Sequence, residues 1–201
     1  MNQIALNVDC MEYMQALPDK AFDLAIVDPP YGISIHDSGR LKKYNATETR
    51  WDDATPGDVY FSELKRCSKN QIIWGGNYYD LPPCRGFVIW DKKQPEDISF
   101  ASCEFAWTSF DTSARTFYYS PLQEKGQRIH PTQKPVALYE WLLMKYAKEG
   151  WRILDTHLGS GSSRIAAYNL GFGFVGGEIE PTYFQLQEQR FADHTAQERM
   201  W

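Results

Sequence analysis

The chain has 201 residues, a formal charge of −5 and a pI of about 5.4. The length favours a single domain over residues 1–201, and the charge does not match the basic profile typical of nucleic-acid binders. Hydrophobic residues make up 43% of the chain, which excludes a disordered protein, and no apolar run approaches the ~20 residues of a membrane span. The four cysteines form no C-x-x-C pair and no signal peptide is visible, so we expect a reduced, cytoplasmic protein without a metal site.

The hydrophobic pattern predicts strands that alternate with helices along the chain. In chain order, we predict a strand at 3–8, a helix at 10–17, a strand at 22–27, a long loop at 32–55, a helix at 56–69, strands at 71–74, 87–90, 104–108 and 115–119, a helix at 135–148, a strand at 152–154, a helix at 162–170, a strand at 172–177 and a helix at 181–192. The polar stretch 194–201 is predicted to be frayed. This order indicates an α/β fold with a mostly parallel sheet and helices on both faces, which binds ligands at the carboxyl ends of its strands.

The first chemical motif, Asp28-Pro29-Pro30-Tyr31, directly follows the predicted strand 22–27. Its two prolines fix φ and remove two N–H donors. A carboxylate beside a rigid carbonyl forms a pair of acceptors that suits an NH₂ group, and Tyr31 adds an aromatic face. The motif therefore predicts a site for a flat, amino-bearing base, although a proline-rich turn with a buried tyrosine would have the same sequence.

The second motif is a glycine turn that follows the predicted strand 152–154 and contains Gly159 and Gly161. Arg164 stands where the dinucleotide fingerprint has its third glycine, so a pyrophosphate ligand and a nicotinamide dehydrogenase are disfavoured. Glu178 lies about 20 residues further on, where an acidic residue usually binds a ribose diol. The pattern predicts a nucleoside site without phosphates, and S-adenosylmethionine fits that description.

Five segments together resemble the amino-group DNA methyltransferases of the N6-adenine/N4-cytosine class. They are Asp28–Tyr31, Trp74–Tyr79, His130–Pro135, Asp155–Ser163 and Gly177–Pro181. Their order is similar to the circularly permuted "beta" arrangement of that class, and the closest likeness is to small phage or prophage adenine methyltransferases. The resemblance implies a Rossmann-like methyltransferase fold that depends on S-adenosylmethionine.

The resemblance also implies roles for individual residues. The catalytic residues would be Asp28, Pro29, Pro30 and Tyr31. The cofactor would be bound by Asp9, Cys10, Asp28, Thr132, Lys134, Asp155, Gly159, Gly161 and Glu178. The expected reaction is methyl transfer from S-adenosylmethionine to the N6 amino group of a flipped adenine in DNA. The chain departs from the family at 155–158, where Asp-Thr-His-Leu replaces the Asp-Pro-Phe of many members.

Basic residues concentrate in two segments, 32–55 and 109–134, which are interpreted as loop insertions for DNA contact. Because phosphates are bound by Lys and Arg, the candidates for binding double-stranded DNA are Arg40, Lys42, Lys43, Arg115 and Arg128. The expected setting is the cytoplasm of a bacterial cell or a phage-infected host, with methylation that protects against restriction as one context. A homodimer would enlarge the DNA-binding surface, and the sequence leaves that assembly open.

An acceptor pair for an amine does not by itself distinguish adenine from cytosine. N4-cytosine methylation is therefore the main alternative, although within the class Asp at the first motif position is commoner for adenine and Ser for cytosine. RNA and protein side-chain amides are alternative substrates, and amide methyltransferases of similar build usually have Asn in place of Asp28. A non-catalytic, cofactor-binding subunit is the remaining alternative.

Overall fold

A computed structural model of the chain describes residues 1–35, 44, 46–47, 49–94, 101–123 and 128–198. The strands are β1 (Gln3–Asn7), β2 (Phe22–Val27), β3 (Ser68–Trp74), β4 (Phe87–Asp91), β5 (Cys103–Thr108), β6 (Arg115–Tyr118), β7 (Arg152–Asp155) and β8 (Gly173–Glu178). The helices are α1 (Cys10–Gln15), α2 (Asp58–Cys67), α3 (Val136–Tyr146), α4 (Ser162–Asn169) and α5 (Pro181–Glu198). Two short 3₁₀ helices cover Gly76–Tyr78 and Pro121–Gln123.

The described strands form one sheet of eight in the order β1-β8-β7-β2-β3-β5-β4-β6. Within it, only β5 runs antiparallel to its neighbours, so the predicted α/β fold with a mostly parallel sheet is confirmed. Strands β1, β8, β7, β2 and β3 are parallel and end at the same edge of the sheet. The segments that follow these five strands therefore meet at that edge, where ligands bind in folds of this type.

Helices cover both faces of the sheet because successive side chains of a strand point in opposite directions. In β2, Leu24 and Ile26 pack in the core beneath α3 and α4, whereas Ala25 and Val27 pack in the core beneath α1 and α2. Burial of Leu24, Ile26 and Val27 contributes roughly 1.5–3 kcal/mol for each side chain, which fixes the end of β2 and the motif that follows it. None of the helices in the described ranges is long and apolar enough to cross a membrane.

Two sequence-based boundaries differ from the structure by three residues or more. Helix α2 ends at Cys67 and β3 begins at Ser68, because the backbone of Ser68 is extended, with φ −125° and ψ 148°. Helix α5 continues to Glu198, so the prediction of a frayed segment after residue 194 is wrong for 194–198. Within the segment 109–134, residues 115–118 form the edge strand β6 parallel to β4, which confirms the strand predicted at 115–119, so the loop interpretation holds only for parts of that segment.

Candidate active site

The motif Asp28–Tyr31 lies directly beyond β2, at the edge where the parallel strands end. The Tyr31 hydroxyl donates to Asp28 Oδ1 at 2.6 Å. The Lys134 ammonium donates to Asp28 Oδ2 at 2.5 Å and lies 3.2 Å from the Tyr31 hydroxyl. Burial raises the pKa of Asp28 above its ordinary value. Both carboxylate oxygens are therefore paired with donors from the protein itself.

The carbonyl groups of the motif are also paired. The Tyr79 hydroxyl lies 2.7 Å from Pro29 O and 3.1 Å from Pro30 O. The sequence predicts an open pair of acceptors, and the structure instead fills that pair with internal donors. The physical reason is that buried acceptors are almost always hydrogen-bonded in a folded chain. Any ligand that binds to these acceptors must therefore displace the internal donors.

The ring of Tyr31 is held between two neighbours from the segment after β3. It stacks on Tyr78, with 4.9 Å between ring centroids and 14° between planes, and 43% of Tyr78 is exposed. Gly75 has φ +70°, and a Cβ atom there would overlap the ring of Tyr31. Only glycine fits at position 75, because a side chain would occupy the space of the tyrosine ring.

Substitution Gly75→Ala should displace Tyr31 and destabilise the fold. The positive φ alone costs an L-residue roughly 1–2 kcal/mol, and the overlap with the ring adds to that cost. Thermal unfolding measures the loss, with Gly173→Ala as the control, because a Cβ atom at 173 meets only Arg152 Cγ at 3.7 Å. Equal melting temperatures for the two variants would contradict this account of the turn.

Asp52 anchors the backbone of the motif from the opposite end of segment 32–55. Its buried carboxylate accepts from the N–H groups of Tyr31 at 2.6 Å, Gly32 at 3.0 Å and Ile35 at 3.0 Å. Nearby, the Thr49 hydroxyl donates to Glu180 at 2.8 Å, and the Trp51 and His130 ring centroids lie 5.2 Å apart. Residues 49–55, at the C-terminal end of the loop predicted to contact DNA, therefore pack against the rest of the domain.

Lys134 connects Asp28 to a second carboxylate that no sequence motif contains. Its ammonium lies 3.0 Å from Glu104 Oε2 on β5, and Lys92 lies 2.7 Å from Glu104 Oε1. Burial opposes the charge of Glu104, but Lys134 and Lys92 outweigh burial and lower its pKa to about 2. The resemblance assigns Lys134 to the cofactor, whereas the structure pairs its ammonium with Asp28 and Glu104.

The glycine turn and Glu178 are brought together, as the sequence predicts. Gly159 and Gly161 adopt φ values of +50° and +73°, which favour glycine. One oxygen of the Glu178 carboxylate accepts from Gly159 N–H at 2.8 Å, and the other accepts from Glu180 N–H at 2.9 Å. The turn and the acidic residue therefore form one connected unit at the ends of β7 and β8.

Asp155 lies beneath this turn and is only 1% exposed. Its carboxylate accepts from the Ser163 hydroxyl at 2.5 Å and from the His157 N–H at 3.0 Å, and burial raises its pKa to about 7. The departure at 155–158 places His157 edge-on to Tyr60, with 5.4 Å between centroids, and burial lowers the pKa of His157 to about 4. A neutral imidazole thus packs as an aromatic ring beside the turn.

The other predicted cofactor residues lie close to this unit or support it. Asp9 caps α1, accepting at 2.7 and 3.3 Å from two N–H groups of its first turn, and burial raises the pKa of the Cys10 thiol to about 11. The Thr132 hydroxyl lies 3.2 Å from His130 Nδ1. Burial lowers the pKa of His130 to about 3, and its ring packs 4.3 Å from that of Tyr183. Both histidine and thiol are therefore uncharged at neutral pH.

The structure locates two of the five candidate DNA-binding residues. Arg115 is exposed at the start of β6, whereas the half-buried Arg128 guanidinium lies 5.3 Å from the ring centroid of Tyr44. Arg40, Lys42 and Lys43 lie outside the described residues. Across the part of the chain that the structure describes, no group of three or more His, Cys, Asp or Glu side chains could hold a metal ion.

Comparison with known proteins decides the family. A family model described as DNA methylase matches residues 53–189, a range that includes Lys134, the glycine turn and Glu178. The chain belongs to the DNA methylase family. This match confirms the resemblance to amino-group DNA methyltransferases that the motifs indicate.

Individual relatives of the methylase agree with that assignment. It is 25% identical to the Type II methyltransferase M.HinfI of Haemophilus influenzae in an alignment that is 247 residues long. The alignment covers 94% of this chain and 68% of that protein. Its fold matches the M1.HpyAVI–SAM complex with a TM-score of 0.61 and 21% identity, over 93% of this chain and 98% of that one. It also matches the cytosine-N4-specific PvuII DNA methyltransferase with a TM-score of 0.66 and 13% identity, over 94% and 90% of the two chains.

Proposed function

We propose that this chain transfers a methyl group from S-adenosylmethionine to the N6 amino group of an adenine in double-stranded DNA. The observation that carries the proposal is the pair of acceptors, Asp28 and the Pro29 carbonyl, at the end of β2. An exocyclic amine has two hydrogens to donate, and the two acceptors match them. Strand β2 adjoins β7, so this pair lies on the strand next to the glycine turn.

The residues at the ends of β7 and β8 fit a nucleoside cofactor. Glu178 is oriented by two backbone N–H groups, and each carboxylate oxygen retains a further lone pair for a ribose hydroxyl. Gly159 leaves space in front of the turn, since the nearest atoms to a Cβ there belong to the His130 ring at 3.8 Å. Glu178, Gly159 and Asp9 would hold the cofactor, with Asp155 supporting the turn. When bound, S-adenosylmethionine supplies an activated methyl group on its sulfonium.

The residues around Asp28 would prepare the amine for attack. The lone pair of an adenine amine is delocalised into the ring, and acceptors beside the nitrogen stabilise the charge that develops on it. Asp28 and the Pro29 carbonyl would accept the two hydrogens of the amine. The donors that now occupy these two acceptors, Tyr31, Lys134 and Tyr79, would first have to move away. The raised pKa of Asp28 favours its taking the proton that the amine loses. Because a duplex hides this amine, the base must be flipped out to reach the site.

The choice of adenine rests on Asp28 at the first position of the motif. The fold does not decide it, since the cytosine-N4-specific PvuII enzyme has the same architecture. The test is to incubate duplex DNA, and RNA in a parallel sample, with the chain and methyl-labelled S-adenosylmethionine, digest the nucleic acid and separate the nucleosides. N6-methyladenine is the expected product, and N4-methylcytosine would replace the proposal with the alternative. Label on RNA and none on DNA would overturn both.

A further inference from the structure

A buried lysine occupies the acceptor that the proposed substrate amine needs. Lys134 is 3% exposed, and its ammonium lies 2.5 Å from Asp28 Oδ2 and 3.0 Å from Glu104 Oε2. On the other side of Glu104, Lys92 holds Oε1 at 2.7 Å. The four side chains form a chain of alternating charge, in the order Asp28, Lys134, Glu104, Lys92.

We propose that Glu104 is a positioning residue that retains the Lys134 ammonium when a substrate amino group replaces it on Asp28. The inference rests on the proposed function, because it concerns the same acceptor. Lys134 already contacts Glu104, so releasing Asp28 leaves the buried cation paired. A buried cation without a partner would be costly, and that cost would otherwise hold Lys134 on Asp28.

The position of Lys92 supports this role. A carboxylate with one mobile partner would follow that partner, whereas Lys92 fixes Glu104 on β5 through its other oxygen. The cluster has equal numbers of acidic and basic groups, and replacing Glu104 with a neutral residue leaves one cation in excess. In that variant Lys134 has Asp28 as its one remaining carboxylate among these four side chains, and it competes directly with the amine.

The test is Glu104→Gln, which keeps the shape of the side chain and removes its charge. We expect kcat for methyl transfer to fall by about 10- to 100-fold, because a displacement of about 1 Å in a positioning group can cost ~100-fold in rate. KM for DNA should change little, because phosphate contacts dominate duplex affinity. Cofactor affinity, measured by calorimetry, should stay near the wild-type value. The control is Glu63→Gln, whose carboxylate has the same 21% side-chain exposure and pairs with Arg66 on α2.

The pH profile separates positioning from a structural role. Asp28 faces Tyr31 from its own segment, Lys134 from the segment before α3, Glu104 from β5, Tyr79 from the segment after β3, Asp155 from β7 and Tyr139 from α3. Among these groups, Glu104 raises the pKa of Asp28 by its negative charge. Removing that charge should move the acidic limb of the kcat profile to lower pH, a shift that a loosened fold would not produce.

A second variant keeps the inference testable if Glu104→Gln folds poorly. Lys92→Met leaves Glu104 without its second partner and free to follow Lys134 toward Asp28, so kcat should fall here too, whereas Lys92→Arg, which keeps a cation on Glu104 Oε1, should stay near the wild-type rate. Equal losses in Lys92→Met and Lys92→Arg, or wild-type kcat in Glu104→Gln, would overturn the inference while an active wild-type enzyme upholds the proposed function. An inactive wild-type chain would instead overturn the proposed function.

Discussion

Substitution Asp28→Ala should reduce the rate of methyl transfer to DNA by at least ~100-fold. Enzymes lose about this much in kcat when one group that stabilises charge in the transition state is removed. The change removes the carboxylate that would accept from the amine. It also removes the acceptor that fixes the Tyr31 hydroxyl. Both losses affect the reacting group directly, so the defect should appear in kcat.

The fold should tolerate this change, because Lys134 stays paired with Glu104 when Asp28 is removed. The measurement is the initial rate of label transfer, with the melting temperature recorded for the same sample. Asp111→Ala is the control, since that carboxylate is 85% exposed and pairs with Arg85 on the surface. A rate for Asp28→Ala within a few-fold of the control would refute the catalytic assignment.

Substitution Asp155→Asn should stabilise the fold and weaken the cofactor site at the same time. Burial raises the pKa of Asp155 from 3.8 to about 7, so the folded chain binds this proton more tightly than the unfolded chain. For such a carboxyl, stability is lost as pH rises from the unfolded pKa to the folded pKa. The neutral amide removes that loss, so the gain in melting temperature should be larger at pH 8 than at pH 5.

Each kcal/mol of this gain corresponds to about 2–4 °C in a chain of this length. Asp23→Asn is a control of opposite sign, because burial opposes the charge of Asp23 but the hydrogen bonds from Lys69 and the Arg152 N–H, with the positive charges of both side chains, together lower its pKa. Cofactor affinity of Asp155→Asn should fall by about 5- to 10-fold, the equivalent of one neutral hydrogen bond, because the amide oxygen accepts from only one of the two donors, Ser163 and His157, through which Asp155 supports the turn. A variant that lost both stability and affinity would show that Asp155 serves only the packing of the turn.

Residues that follow strand ends were predictable from the sequence. Asp28, Asp155 and Glu178 each come at the end of a short apolar run, and parallel strands place such ends at one edge. Their residue types then indicate their chemistry. The connection between Glu178 and Gly159 is local to two neighbouring strands, so it too follows from the order of motifs.

Other parts of the site depend on tertiary contacts that no short pattern encodes. Glu104 reaches Lys134 only because β5 is inserted antiparallel between β3 and β4, an order that periodicity does not reveal. Asp52 contacts Tyr31 across 21 residues, and Tyr79 reaches Pro29 across 50. The internal pairing of the acceptors was missed for the same reason, since their donors come from distant segments.

The carboxylate of Asp52 holds the backbone at Tyr31 in place independently of the segment between residues 35 and 52. By binding the N–H groups of Tyr31, Gly32 and Ile35, it ties the two ends of the segment between them and closes that segment into a loop. Lengthening a closed loop costs little, since each doubling adds only about 0.6 kcal/mol. The position of Tyr31 is therefore set by its hydrogen bond to Asp52 and depends little on how many residues separate the two.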